Sequence, residues 1–325
     1  MKHVSILVPE SAVLASVEDP RHLFAMVNGL CLAAGREPAF NVQMVGASRE
    51  VKLHDSHYTV HTDALLQEIK RTDMVIIPAP SGNLDEALEK NRALIPWIVE
   101  QYSKGAELVS LCIGAFFLAS TGLLNGRKCS THWLHSPRFR EMFPQVNLVD
   151  DRIITEEDRI YTSGGATSYW NLLLHLVEKN TDREIAIRAS KVFAIEIERT
   201  TQSPFMIFNS QIKHSDEPVK KAQEFIEKNF EDKITVAQLA SMVSIGRRNF
   251  ERRFKKATSN TVVEYMQRVK IEAAKKNFET SRKNVNEVMY DVGYSDIKAF
   301  RTIFRKVTGL SPIEYRNKYN KDAMA

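Results

Sequence analysis

Cys112 lies in the run Leu111-Cys112-Ile113-Gly114-Ala115-Phe116, where an apolar strand pattern gives way to an apolar helix pattern. A thiol on such a strand-to-helix turn sits near the positive end of a helix dipole. That placement lowers a thiol pKa, and it is the geometry of a nucleophile elbow. Twenty residues on, His132 in Cys-Ser-Thr-His-Trp offers a base. The pair permits three chemistries: acyl transfer by a thiol-dependent amidase or hydrolase, redox sensing at Cys112, or unreactive contact with a bound ligand. Catalysis would also need a carboxylate to support thiol activation or orient the base.

Other candidates point away from chemistry. His54, His57 and His61 fall in an alternating polar segment without a Cys partner, and their spacing fits no common zinc pattern, so an exposed strand and turn is expected. We expect no metal and no cofactor. His132 and His135 could share a helix face, but a helix starting at Ser136-Pro137 explains the region equally well. Cys129 reads as a small apolar strand residue. Cys31, Cys112 and Cys129 form no paired framework, which suits a reducing, cytoplasmic setting; no apolar run is long enough to span a membrane.

The elements that must position Cys112 are legible around it. Val4–Val8, Asp73–Pro80 and Ala106–Cys112 read as buried parallel strands; His22–Ala33, Asn91–Gly105 and Gly114–Leu124 read as helices. This alternation predicts an α/β domain, a parallel sheet sandwiched by helices in the flavodoxin-like manner, with ligands at the C-terminal ends of the strands. At 325 residues, two domains are expected.

The stretch Ser110–Trp133, with its Cys-x-Gly-Ala-Phe, Gly-Leu-Leu-x-Gly and Thr-His-Trp motifs, resembles the PfpI-like, class I glutamine amidotransferase-like superfamily, and Arg159–Lys179 resembles its regulator branch. The resemblance covers about residues 1–205. It places the family's acid four residues before a proline that starts the first helix. Here that proline is Pro20 and the matching position is Ser16; Glu10, Glu18 and Asp19 lie off the matched offset. The resemblance therefore implies a pocket of Cys112, His132, Ser16, Gly164 and Gly165 that binds a small effector without turnover, and a homodimer formed through this domain. A hydrolase or a redox sensor remains the alternative.

Beyond a linker at 206–217, periodicity is helical throughout and the charge changes sign. Residues 213–325 carry 24 Lys and Arg against 15 Asp and Glu, while residues 1–212 carry 21 against 25. Concentrated positive charge is the electrostatic footprint of a nucleic-acid partner. Phe250–Tyr265 recurs as Phe300–Tyr315 at an offset of fifty, and Val236–Val243 recurs as Val285–Val292. Each copy is a helix, a short turn and a basic second helix, so the all-α domain 218–325 contains two helix-turn-helix units at about 234–258 and 284–308. Phenylalanines at i and i+4 must be buried. Arg248, Glu251, Arg252, Ile297, Lys298, Arg301 and Thr302 then project toward base edges, and Lys255, Lys256, Arg305 and Lys306 suit phosphates. A continuous helix over 262–279 would hold the two units about one DNA turn, ~34 Å, apart.

Val292–Arg316 matches the signature of the AraC/XylS family of transcription regulators, with a Gly-aromatic turn, a Phe-x-x-x-Phe-basic core and a Gly-x-Ser-Pro-x-x-Tyr-Arg close. The first unit departs from it at Ser259, Thr261 and Val262. The resemblance implies double-stranded promoter DNA and RNA polymerase as partners, and activation rather than repression.

Overall fold

The structure, a computed structural model, describes residues 1–53, 57–197, 199–209, 211–212 and 214–320; His54 lies outside them. The chain divides into two compact units, one ending at Gln202 and the other starting at Ser203.

In the first unit the elements run β1 (Lys2–Leu7), α1 (Leu14–Ala33), β2 (Phe40–Gly46), β3 (Glu50–Leu53), β4 (Tyr58–His61), β5 (Ala64–Leu65), β6 (Met74–Ile77), α2 (Leu84–Lys90), α3 (Leu94–Ser103), β7 (Glu107–Ser110), α4 (Ala115–Ser120), β8 (Lys128–Cys129), α5 (Ser136–Met142), β9 (Asn147–Leu148), β10 (Ile154–Glu157), β11 (Ile160–Ser163), α6 (Tyr169–Asn180) and α7 (Arg183–Val192). Seven strands form one sheet in the order β10-β11-β7-β6-β1-β2-β5. All its pairs are parallel except β10 with β11, an antiparallel edge. Side chains alternate across a strand. Val4, Ile6, Met74, Ile76 and Val109 therefore enter an apolar cluster with α1, α6 and α7, while Leu7, Val75, Ile77 and Leu108 enter a second with α3, α4 and α5. Both faces are covered, which is why these strands read as continuous apolar runs.

Two expectations are corrected. Pro20 does not start the first helix: α1 begins at Leu14 and contains it. The turn ahead of the proline is pinned by Ser16, whose Oγ donates to the Val13 carbonyl (2.7 Å) and accepts from the Ala79 amide (3.1 Å). The helix expected over Gly114–Leu124 is shorter. It stops at Ser120 because the Ser120 and Thr121 hydroxyls bond back to the Phe116 and Leu118 carbonyls and Gly122 turns the chain at φ 77°.

The second unit contains α8 (Glu217–Lys228), α9 (Val236–Met242), α10 (Arg247–Thr258), α11 (Val262–Thr280), α12 (Val285–Asp291), α13 (Ile297–Thr308) and α14 (Pro312–Tyr319). Residues ahead of α8, read from sequence as a connector, pack on this unit: Phe208 touches its first apolar cluster and the Met206 carbonyl accepts from Lys275 Nζ at 2.7 Å. Phe250, Phe254 and Tyr265 centre that cluster; Phe300, Phe304 and Tyr315 centre the second. The repeat extends to polar detail. Thr258 and Thr308 each donate to the carbonyl four residues back at 2.8 Å, Ser259 and Gly309 close α10 and α13 in the left-handed region, and Thr261–Glu264 and Ser311–Glu314 form capping boxes.

Candidate ligand site and nucleic-acid interface

β7 ends one residue before Leu111, and Cys112 follows with φ 54°, a left-handed conformation that turns the chain sharply into a short 3-10 turn and α4. Gly114 is required here, because a Cβ would stand 2.5 Å from the Ile77 carbonyl oxygen. The elbow is locked by its neighbours: the Cys112 amide donates to Ser163 Oγ at 3.0 Å, and Thr131 Oγ1 donates to the Cys112 carbonyl at 3.1 Å. Residues immediately before Gly164 and His132 thus hold the Cys112 backbone at the C-terminal ends of the strands.

The thiolate expectation is not met. Cys112 is 7% exposed, and burial pushes its thiol up to about 12, against a smaller opposing effect of the Ile113 amide. Desolvation disfavours the charged form by more than one short turn of backbone dipoles offsets. Burial, then His135, lowers the His132 pKa and keeps the ring neutral, and its Nδ1 accepts from the Leu134 amide at 3.1 Å. Ser16, expected beside Cys112 as a pocket residue, is fully buried, with its hydroxyl committed to the Val13 carbonyl and the Ala79 amide.

Two further features shape this site, Asp19, set aside in the sequence as off the matched offset, and Gln202, which the sequence did not single out. Asp19 Oδ2 accepts from Tyr169 Oη at 2.5 Å and from Trp170 Nε1 at 3.1 Å. Burial and Asp19 push Tyr169 upward, and Cys112 is close enough to contribute. The nearby carboxylate is therefore bound to an aromatic pair. Gln202, 1% exposed, fills the space over the glycine pair: its Oε1 accepts from the Gly165 amide at 2.9 Å, and its Nε2 donates to the Thr131 and Asp150 carbonyls at 2.9 and 2.8 Å. A Cβ on Gly164 would stand 2.6 Å from that Nε2. An amide in a polar, aperiodic stretch gives no sequence signal. Of the remaining candidates, Cys129 is a buried strand residue and His61 lies exposed on β4; among the described residues no three His, Cys, Asp or Glu side chains gather as a metal site.

In the second unit α9–α10 and α12–α13 are the two helix-turn-helix pairs. Arg248, Arg252, Lys255 and Lys256 on α10, and Lys298, Arg301, Thr302, Arg305 and Lys306 on α13, are all exposed. Their helices bury only the opposite faces, Phe250, Phe254 and Thr258 in one and Phe300, Phe304 and Thr308 in the other. Arg252 rests on Asn249 at 2.9 Å, and Glu251, half-buried, pairs with Arg247 at 3.2 Å. Ile297 departs from the expected outward placement. It is half-buried against the second apolar cluster, where the first turn of α13 meets the core. Arg253 faces inward too, gripping Asp216 through two 2.8 Å bonds; Asp216 also caps α8, so this ion pair fastens α10 to α8.

A family model described as "DJ-1/PfpI family" matches residues 30–179, and one described as "Helix-turn-helix domain" matches residues 239–318. The chain thus carries a segment similar to the DJ-1/PfpI family followed by a segment similar to a helix-turn-helix domain. It is similar along most of its length to the HTH-type transcriptional regulator GbdR of Pseudomonas aeruginosa, 25% identical over 306 residues, covering 93% of this chain and 80% of that one. The HTH-type transcriptional regulator ArgR of the same species is 26% identical over 214 residues, 66% of this chain and 65% of that one. The DJ-1/PfpI fold matches the crystal structure of an AraC family transcriptional regulator from Pseudomonas putida, with TM-score 0.51, 19% identity, and coverage of 59% of this chain and 100% of that one. The helix-turn-helix match falls on the basic, duplicated C-terminal third of the sequence, and the DJ-1/PfpI match spans the elbow at Cys112.

Proposed function

We propose that the protein is a sequence-specific DNA-binding transcription regulator whose DJ-1/PfpI domain senses a small molecule and whose helix-turn-helix domain reads promoter DNA. The observation that carries this is the duplication: α10 and α13 present exposed basic faces from two copies of one buried frame. Arg248 and Arg252, with Lys298, Arg301 and Thr302, are placed to contact base edges. Lys255, Lys256, Arg305 and Lys306, nearer the helix ends, are placed to contact phosphates. Glu251 is available to accept from a cytosine amino group once it leaves Arg247.

The effector binds beside Cys112, His132 and the Gly164-Gly165 turn, and it regulates by binding one domain arrangement more tightly than another. A non-catalytic role for this site is supported by the buried, protonated thiol, the serine at the position of the family's acid, and the engagement of Asp19 by Tyr169 and Trp170. The DJ-1/PfpI domain pairs two chains into a homodimer, and the bound regulator recruits RNA polymerase to activate transcription. Footprinting of genomic fragments with the purified protein tests the assignment. Two protected segments about one helical turn apart per chain are expected; protection with no sequence preference at physiological salt would reject it.

A further inference from the structure

The two helix-turn-helix halves repeat each other closely, and they differ at the turn between the two helices of each pair. In the turn between α12 and α13, Gly293 has φ 71°, and a Cβ there would overlap the Glu231 carbonyl oxygen and Lys270 Nζ. At the matching turn of the first half, Ser244 also has positive φ, 55°, but its side chain is exposed. The α8–α9 loop that contains Glu231 thus abuts the second half directly. Phe230 of that loop packs against the second apolar cluster, whereas Ile226 before it and Ile234 after it pack in the first.

Lys270 reaches this junction from α11. It is half-buried, and its Nζ donates to the Val292 carbonyl at 3.1 Å, with the Gly293 and Asp232 carbonyls at 3.4 and 3.5 Å and the Tyr294 ring centroid at 5.6 Å. The ammonium therefore bonds carbonyls from the first half's loop and the second half's turn. A cavity of about 240 Å³ beside it is lined from both halves, by Phe230, Ile234, Met266 and Tyr294 among others. α11 packs Val262 and Tyr265 into the first cluster and Ile271, Ala274 and Phe278 into the second, and the loop contact and the charge-assisted bonds of Lys270 add a direct tie between the two halves beside that helix.

We propose that Lys270, with Gly293 and the α8–α9 loop, is a positioning residue that fixes the register between α10 and α13 and so determines which spacing of the two base-pair segments the protein accepts. This rests on the DNA-reading assignment above. The test uses the full chain and a footprinted site in which the two protected segments stand at native spacing, one base pair closer, or one or two base pairs farther apart. The wild type should lose about tenfold or more in affinity at each altered spacing, the scale of a lost base-pair contact. Lys270→Met keeps the apolar stem but removes the ammonium. It should bind the native spacing about tenfold more weakly and discriminate spacings by less than about threefold, with Lys270→Arg restoring discrimination. If Lys270→Met does not fold, Lys270→Gln is read by the same profile. A wild-type spacing profile in these variants, or an equal loss at every spacing, overturns the inference. No sequence-selective binding by the wild type would remove the DNA-reading assignment and this inference together, an outcome distinct from intact binding with an unaltered profile.

Discussion

Single residues carry the sharpest consequences of the environment. Cys112 and Cys129 are both pushed up to about 12, chiefly by burial. An unfolded chain ionises these thiols near pH 9, so between about pH 9 and 12 it binds fewer protons than the folded one. Stability is then fully present below pH 9 and falls as pH rises, by up to about 1.4 kcal/mol per pH unit for each thiol. Urea denaturation across this range should show the decline, and a Cys112→Ala, Cys129→Ala double variant should make it shallower, the remainder coming from buried tyrosines that burial also pushes up. Iodoacetamide should label Cys112 far more slowly at pH 7.5 than it labels an unfolded peptide thiol; equal rates would contradict the protonated elbow. Arg252→Ala should cost about 1–3 kcal/mol of DNA affinity and relax selectivity at one base position. A uniform loss over all sequences would mean that Arg252 touches phosphate instead. The sequence disclosed the presence of Cys112 and its turn, but not its protonation state, because desolvation depends on atoms brought from β11 and α6.

At the scale of elements, the duplicated unit offers an internal control. Ser259 and Gly309 end α10 and α13 in the same left-handed conformation, at φ 57° and 76°. A side chain is disfavoured there and glycine is not. Ser259→Gly should raise stability by about 0.5–1 kcal/mol, whereas Gly309→Ala should lower it by a similar amount, both read from urea midpoints. Phe304→Ala, at a fully buried position of the second cluster, should cost about 3–5 kcal/mol. The helices were legible because phenylalanine spacing, basic faces and capping residues repeat at fixed offsets. Ile297 is the position where helical angle is least informative: it lies at the edge of the exposed stripe, and the first turn of α13 sits close enough to its core to bury it partly. Likewise α1 starts ahead of Pro20, and the bond that anchors its first turn, from the Ala79 amide to Ser16 Oγ, joins residues 63 apart.

For the whole molecule, the basic half sets how binding responds to salt. Replacing Lys255, Lys256, Arg305 and Lys306 together by Ala should weaken binding to specific and random DNA alike. The slope of log affinity against log salt should fall by about one for each lost phosphate contact. Regulation gives a separate test. Substitutions at Cys112, His132 and Gly165 should change promoter output in response to an effector while leaving DNA affinity of the effector-free protein intact. Unchanged output under every growth condition would remove the sensing role. The sequence by itself determined the domain order, the α/β and all-α classes, the helix-turn-helix duplication and the sign change of charge, because these follow from composition and local periodicity. Only the tertiary structure decided that the Cys112 thiol is protonated, that Ser16 anchors a helix, that Gln202 covers the glycine turn, and that Lys270 bridges the two helix-turn-helix halves. Each of these depends on desolvation or on bonds between residues distant in the chain, for which a linear pattern carries no trace.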